Sequence, residues 1–140
     1  MQRKFCDVAA TAISTVLLTS AAGAHHSFRS QYDADQPVEL SGVVTKVEWM
    51  NPHVYFYVDV LNEETGNTES WGFEMGPPHL LQNRGWKRNS MQIGDIVHVE
   101  GTRARDGSTT ANARRVTLDS TGEVLGAASS ENQTITGGGN

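Results

Sequence analysis

The chain has 140 residues, with 11 Lys and Arg against 16 Asp and Glu and a formal net charge of −5. Acidity on this scale disfavours nucleic acid and anionic lipid as bulk partners, because affinity for both is built largely from Lys and Arg neutralising phosphates. The length suits one domain with one core, and beyond the first two dozen residues no run is long and apolar enough for a membrane span.

The start of the chain reads as a secretory leader. Arg3 and Lys4 supply a short positive start, Val8 to Leu18 an apolar stretch, and Ala22-Gly23-Ala24 the small residues of a cleavage site. The apolar stretch falls short of the ~20 residues that cross a bilayer. Residues 1–24 are therefore expected to leave as a signal peptide, taking Cys6 with them, and the mature chain then begins His25-His26-Ser27. The expected location is the periplasm or the secreted fraction. There the protein has neither a disulfide nor a thiolate metal ligand to draw on.

Residues 25–36 are polar, with isolated aromatics at Phe28 and Tyr32, and read as an N-terminal arm. From Pro37 the texture becomes that of strands. Val38 to Trp49 is rich in β-branched residues, but its alternation slips between Val43 and Val47, as a bulge beside a strand glycine causes. Met50-Asn51-Pro52 breaks this bent first strand. In the second strand, from His53 to Val60, Val54, Phe56, Val58 and Val60 share one face, and Tyr55, Tyr57 and Asp59 the other. A polar loop, Asn62 to Asn67, leads to a third strand in which Trp71, Phe73 and Met75 alternate with Gly72 and Glu74.

Gly76-Pro77-Pro78 then stops one element and starts another. His79 to Gly85 fits a short helix with proline in its first turn and Gly85 as its stop, and Trp86 anchors the exit. Ile93-Gly94-Asp95 turns into a fourth strand, Ile96 to Thr102, and Asp106-Gly107 into a fifth, about Asn112 to Leu118. Residues 119–140, rich in Ser, Thr, Gly and Ala, read as a disordered tail or tether. The order β-β-β-α-β-β predicts an all-β fold, a small OB-fold-like antiparallel barrel with one short helix spanning residues 37–118. A small barrel of another topology is the rival.

Several motifs together resemble a known family. They are Ala24-His25-His26-Ser27-Phe28, Asn51-Pro52-His53-Val54, Trp71-Gly72-Phe73-Glu74-Met75-Gly76, Gly85-Trp86 followed by Gly94-Asp95, and Gly101 to Gly107. The family comprises small exported bacterial proteins and is classed only as domain-of-unknown-function family 6152. The likeness extends to about Leu118. It implies export and one β domain, and carries no activity, substrate or catalytic residue.

Chemistry is expected mainly from the histidines. A first-residue histidine chelates through its α-amine and Nδ1, and another imidazole completes the nitrogen-rich, nearly planar set that Cu(II) prefers. His25 is that residue, and His26, His53 and His79 are the candidates for the further ligand. His98, on an outward face beside Glu100, is less suited. Copper is the expected metal and zinc the second choice, since three imidazoles with an open position suit it as well. Each histidine also has a plain role, as a loose terminal residue, a turn residue bonded to backbone, or a surface residue.

For catalysis the sequence offers no recognisable frame: no Gly-x-Ser-x-Gly elbow, no His-Glu-x-x-His helix and no phosphate-binding glycine loop. Glu74 and Asp59 are expected to face each other as solvated carboxylates on the outer side of the sheet. The alternative to a metal protein is an envelope binding module on the outer face of strands two and three. There Tyr55 and Tyr57 serve as stacking platforms, with Arg103 and Arg105 at one rim. Its partner is a saccharide, a peptide or another envelope protein. Trp49, Trp71 and Trp86 are expected to be core and corner anchors rather than a binding box.

Overall fold

The computed structural model describes residues 28–129. The expected leader, His25, His26 and the end of the expected tail lie outside the described residues. The fold is all-β, with six strands and one short helix: β1 (Tyr32–Glu48), β2 (Tyr55–Leu61), β3 (Thr68–Glu74), α1 (Pro78–Asn83), β4 (Ile96–Ala104), β5 (Thr110–Leu118) and β6 (Val124–Gly126). A helical turn at residues 28–31 leads into β1.

The strands lie in the order β3-β2-β1-β4-β5-β6, and an additional β3–β5 pairing joins the two flanks, so that the first five strands form a ring. The expected barrel was antiparallel; the β3–β5 pairing is parallel, matching Gly72, Phe73 and Glu74 with Thr110, Ala111 and Asn112. Parity requires this. A closed ring of five strands cannot alternate direction at every contact.

β1 runs for 17 residues and is shared between two neighbours. Its first part pairs with β4, its last with β2, and the register against β2 shifts between Val44 and Lys46, where the alternation of the sequence slips. Gly42 sits at the crossing. A Cβ there would run into the Asp59 carbonyl and the Val58 side chain, so only glycine lets β1 pass this close to β2.

The interior is filled as the alternation predicts, with Phe56 and Val58 from β2, Val54 just before it, Trp71 and Phe73 from β3 and Met75 just after it all buried. Phe56 and Phe73 oppose each other in register and stack with centroids 5.1 Å apart. Trp86 is buried and donates from Nε1 to the Gly126 carbonyl at 3.0 Å, while Trp49 is half-buried against the same core. Leu81 is the buried residue of α1, whose first turn holds Pro78. Among the described residues no helix is long and apolar enough to cross a membrane.

Two boundaries differ from those expected. Strand structure begins at Tyr32 instead of Pro37, and Phe28 and Tyr32 are buried with Ala104 in a second small cluster. At the other end, residues 119–129 are part of the folded body, where a tail was expected. β6 pairs with β5, and Leu125, Ala127, Ala128 and Ser129 are buried. The Gly76 amide donates to the Ala127 carbonyl at 2.9 Å, and the Ser129 hydroxyl donates to the Asn112 side chain. Small residues suit this segment because it passes so close to the ring that a Cβ on Gly76 would strike Ala128.

Candidate functional site

The Asn62–Asn67 loop fixes the pairing of β2 with β3, since the Asn62 amide donates to the Asn67 carbonyl at 2.8 Å. Counting back along the hairpin sets Asp59 opposite Ser70 and Tyr55 opposite Glu74. The expected pairing of Asp59 with Glu74 is thus replaced by one between Glu74 and Tyr55. Beyond it the Met75 amide donates to the Val54 carbonyl, which holds His53 beside the end of β3.

Glu74 was expected to be a solvated carboxylate. It is buried, at 7% exposure, although it points to the outer side of the ring. Tyr32, 42 residues earlier in the chain, covers it and donates its hydroxyl to Oε2 at 2.5 Å. His53 Nδ1 lies 2.5 Å from Oε1, and the imidazole keeps 36% of its surface exposed. The carboxylate thereby assigns a proton to Nδ1, and in the neutral ring leaves the Nε2 lone pair on the opposite edge.

Burial, followed by the hydrogen bond to Glu74 and its charge, pushes the Tyr32 phenol far up from its ordinary value. Burial and then the Glu74 charge push Tyr55 up to about 12. Both phenols stay protonated around neutral pH, and Tyr32 donates to the carboxylate. This suits a buried carboxylate, which needs partners for its lone pairs.

A cleft of about 690 Å³ opens beside this group, with Tyr32, Tyr55 and Glu74 on one side and Arg105, Asp106 and Ser108 of the β4–β5 turn on the other. Arg105 ties the two sides together. Its Nε donates to the Arg29 carbonyl at 2.7 Å, its amide donates to the Gln31 carbonyl at 2.9 Å, and its guanidinium lies 3.7 Å from Asp33. The Ser108 hydroxyl and amide hold the Asp106 carboxyl below its usual range.

The other candidates scatter. Tyr57 donates to Glu48 at 3.1 Å, and Lys46 lies both over its ring and 2.7 Å from the same carboxylate. Arg103 lies over the Trp71 ring, 5.4 Å from its centroid, and donates to the Ser108 and Gly107 carbonyls. His79 is exposed on α1. His98 lies 2.9 Å from the Ser41 hydroxyl and 3.1 Å from Glu39, so both of its ring nitrogens are engaged. Of the expected binding residues, the structure brings together His53, Tyr55 and Arg105. It adds Glu74 and Tyr32, whose roles the residue types alone did not indicate. Among the described residues no group of three or more His, Cys, Asp or Glu side chains is arranged to hold a metal ion.

A ring of strands carrying a cleft beside a buried carboxylate defines a small all-β domain. The chain belongs to the family of unknown function DUF6152, whose model matches residues 13–113. That range includes Tyr32, His53, Tyr55, Glu74 and Arg105, and stops short of β6. No curated protein matches the chain.

Proposed function

We propose that this is an exported bacterial protein, periplasmic or secreted, that binds Cu(II) once its leader is removed. The ligands are the α-amine and imidazole of His25 and the Nε2 of His53, with His26 as the further nitrogen donor. Exposed His79 is the weakest of the original candidates.

One observation supports this above the rest: His53 Nδ1 is held 2.5 Å from a buried Glu74 oxygen. A histidine that binds metal commonly donates its other ring nitrogen to a carboxylate, which fixes the tautomer and raises ligand basicity. The described part of the arm also starts near this carboxylate. Phe28 packs 5.4 Å from Tyr32, and Tyr32 donates to the same Glu74 carboxylate. The three-residue step from Phe28 back to His25 spans at most about 11 Å when extended. Copper follows from the all-nitrogen donor set, with zinc second. Binding displaces the proton of the α-amine, whose reference pKa is about 8.

The test is a competitive Cu(II) titration of exported, processed protein and of a variant carrying one extra alanine before His25. The extension leaves the fold unchanged by circular dichroism and abolishes high-affinity uptake. Equal affinity in the two proteins removes the terminal-amine site.

The second reading, an envelope interaction module on the outer face of β2 and β3, is narrowed by the contacts made within the chain. Tyr57 and Arg103 spend their polar groups on neighbours away from the cleft, whereas Tyr55 and Arg105 line it.

A further inference from the structure

We infer that the cleft between the Tyr32–Tyr55–Glu74 wall and the β4–β5 turn is a binding site for a neutral, hydroxyl-rich ligand, of the size and class of a mono- or disaccharide. It needs no metal and does not rest on the copper proposal.

The first ground is preformation. The cleft's volume of about 690 Å³ falls inside the roughly 300–1,000 Å³ of small-molecule sites. Its two sides come from segments far apart in sequence: the Tyr32–Glu74 bond fixes the first, and two hydrogen bonds from Arg105 to the 28–31 turn join the second to it. Little ordering remains to be done when a ligand arrives.

The second ground is charge. Each charged group on the cleft already has a partner within the chain: Glu74 has His53 and Tyr32, Arg105 has the Arg29 carbonyl and Asp33, and Asp106 has Ser108. A cation or anion entering here competes with those partners, and at Glu74 one of them, Tyr32, is buried. A hydroxyl avoids this, because it both donates and accepts. It can use the lone pairs left over on the carboxylates and phenols and the hydroxyls of Ser108 and Thr110.

The third ground is the Tyr55 ring, half-buried at the cleft wall. An aromatic body with a polar tip matches a sugar ring, which has an apolar C–H face and a hydroxyl edge.

The test is a nuclear magnetic resonance titration of the processed protein in the presence of a chelator. Maltose and N,N′-diacetylchitobiose are the neutral probes, spermidine the cationic one and citrate the anionic one. At least one disaccharide is expected to shift, saturably, the amide signals of Tyr55 and of residues 105–110. Thr110→Val weakens that binding by roughly 3- to 10-fold, as loss of one neutral hydrogen bond does. Ser108→Trp, at an exposed rim position, abolishes it. The proposal is overturned if neither disaccharide shifts those signals at millimolar concentration, if only a charged probe does, or if saccharide binding survives Ser108→Trp.

Discussion

Tyr55 and Tyr57 lie two residues apart on the same face of the same strand, and the chain treats them oppositely. Tyr57 stands opposite Gly72, and its ring covers the space a side chain would take there. Its hydroxyl donates to Glu48, itself bridged to Lys46, in a patch open to water. Tyr55 stands opposite Glu74, whose carboxylate is also contacted by Tyr32 from the start of β1 and by His53 from the β1–β2 connection. The alternation of β2 gives both tyrosines the same direction. A third layer of chain, arriving from residues 28–32, separates a buried polar network from a solvated one.

Burial sets the energy scale of the two networks. Glu74→Ala strips the acceptor from Tyr32 and His53 at once, and is expected to cost about 2–4 kcal/mol, since hydrogen bonds to a charged group contribute about 1.5–3 each and do not add fully. Urea unfolding with an unchanged m-value measures it; a loss below about 1 kcal/mol would mean that the network contributes as little as a surface one.

Tyr32→Phe keeps the ring beside Phe28 and removes one donor. We expect about 1.5–2 kcal/mol in the same assay, less than for Glu74→Ala because His53 still serves the carboxylate.

On the other side, Tyr57→Phe is expected to cost no more than about 0.5 kcal/mol, the range of surface substitutions. A value matching that of Tyr32→Phe would erase the distinction between the two networks.

The smallest effect concerns pH. Hydrogen bonds from Lys46 and Tyr57 hold the Glu48 carboxyl below its usual range. A group depressed in the folded state contributes stability that is present above its unfolded pKa, about 4.3, and is lost as pH falls through the folded value. Lys46→Met therefore differs from the parent most above about pH 5, and the two stability curves converge in acid. A gap that instead widens as pH falls would assign the Lys46 contribution to something other than Glu48.

Much of the fold is legible in the residues. Clean alternation in β2 and β3 predicts which side chains fill the core, the slip at Val43 to Val47 predicts the bulge, and prolines and Gly85 bracket α1. The parallel closure is not legible in that way, because β3 and β5 are separated by α1 and β4, and local pattern says nothing about pairing at that distance. β6 escapes notice because Val124-Leu125-Gly126 is too short to show a period, and its small neighbours Ala127, Ala128 and Ser129 resemble a linker although they are chosen for close approach.

The candidate site was partly within reach. The loop from Asn62 to Asn67 already implies that Tyr55 meets Glu74, so the register alone corrects the expected Asp59–Glu74 pairing. The burial of Glu74 is harder to read. It depends on Tyr32, in a stretch whose polar residues at 33–36 resemble a free arm, and on a contact spanning 42 residues. His53 stands out by its position after Asn51-Pro52, whereas its carboxylate partner emerges only from the folded chain.

The most direct test of the metal proposal is electron paramagnetic resonance of the processed protein with one equivalent of Cu(II), alongside His53→Ala and Glu74→Gln. The parent is expected to give a single nitrogen-rich, planar spectrum that is lost in His53→Ala. In Glu74→Gln the spectrum persists with an affinity reduced by roughly 10- to 100-fold, as removal of a carboxylate behind a metal-binding histidine does. Weak, heterogeneous spectra that are the same in all three proteins would contradict the assignment of His53 as a ligand oriented by Glu74.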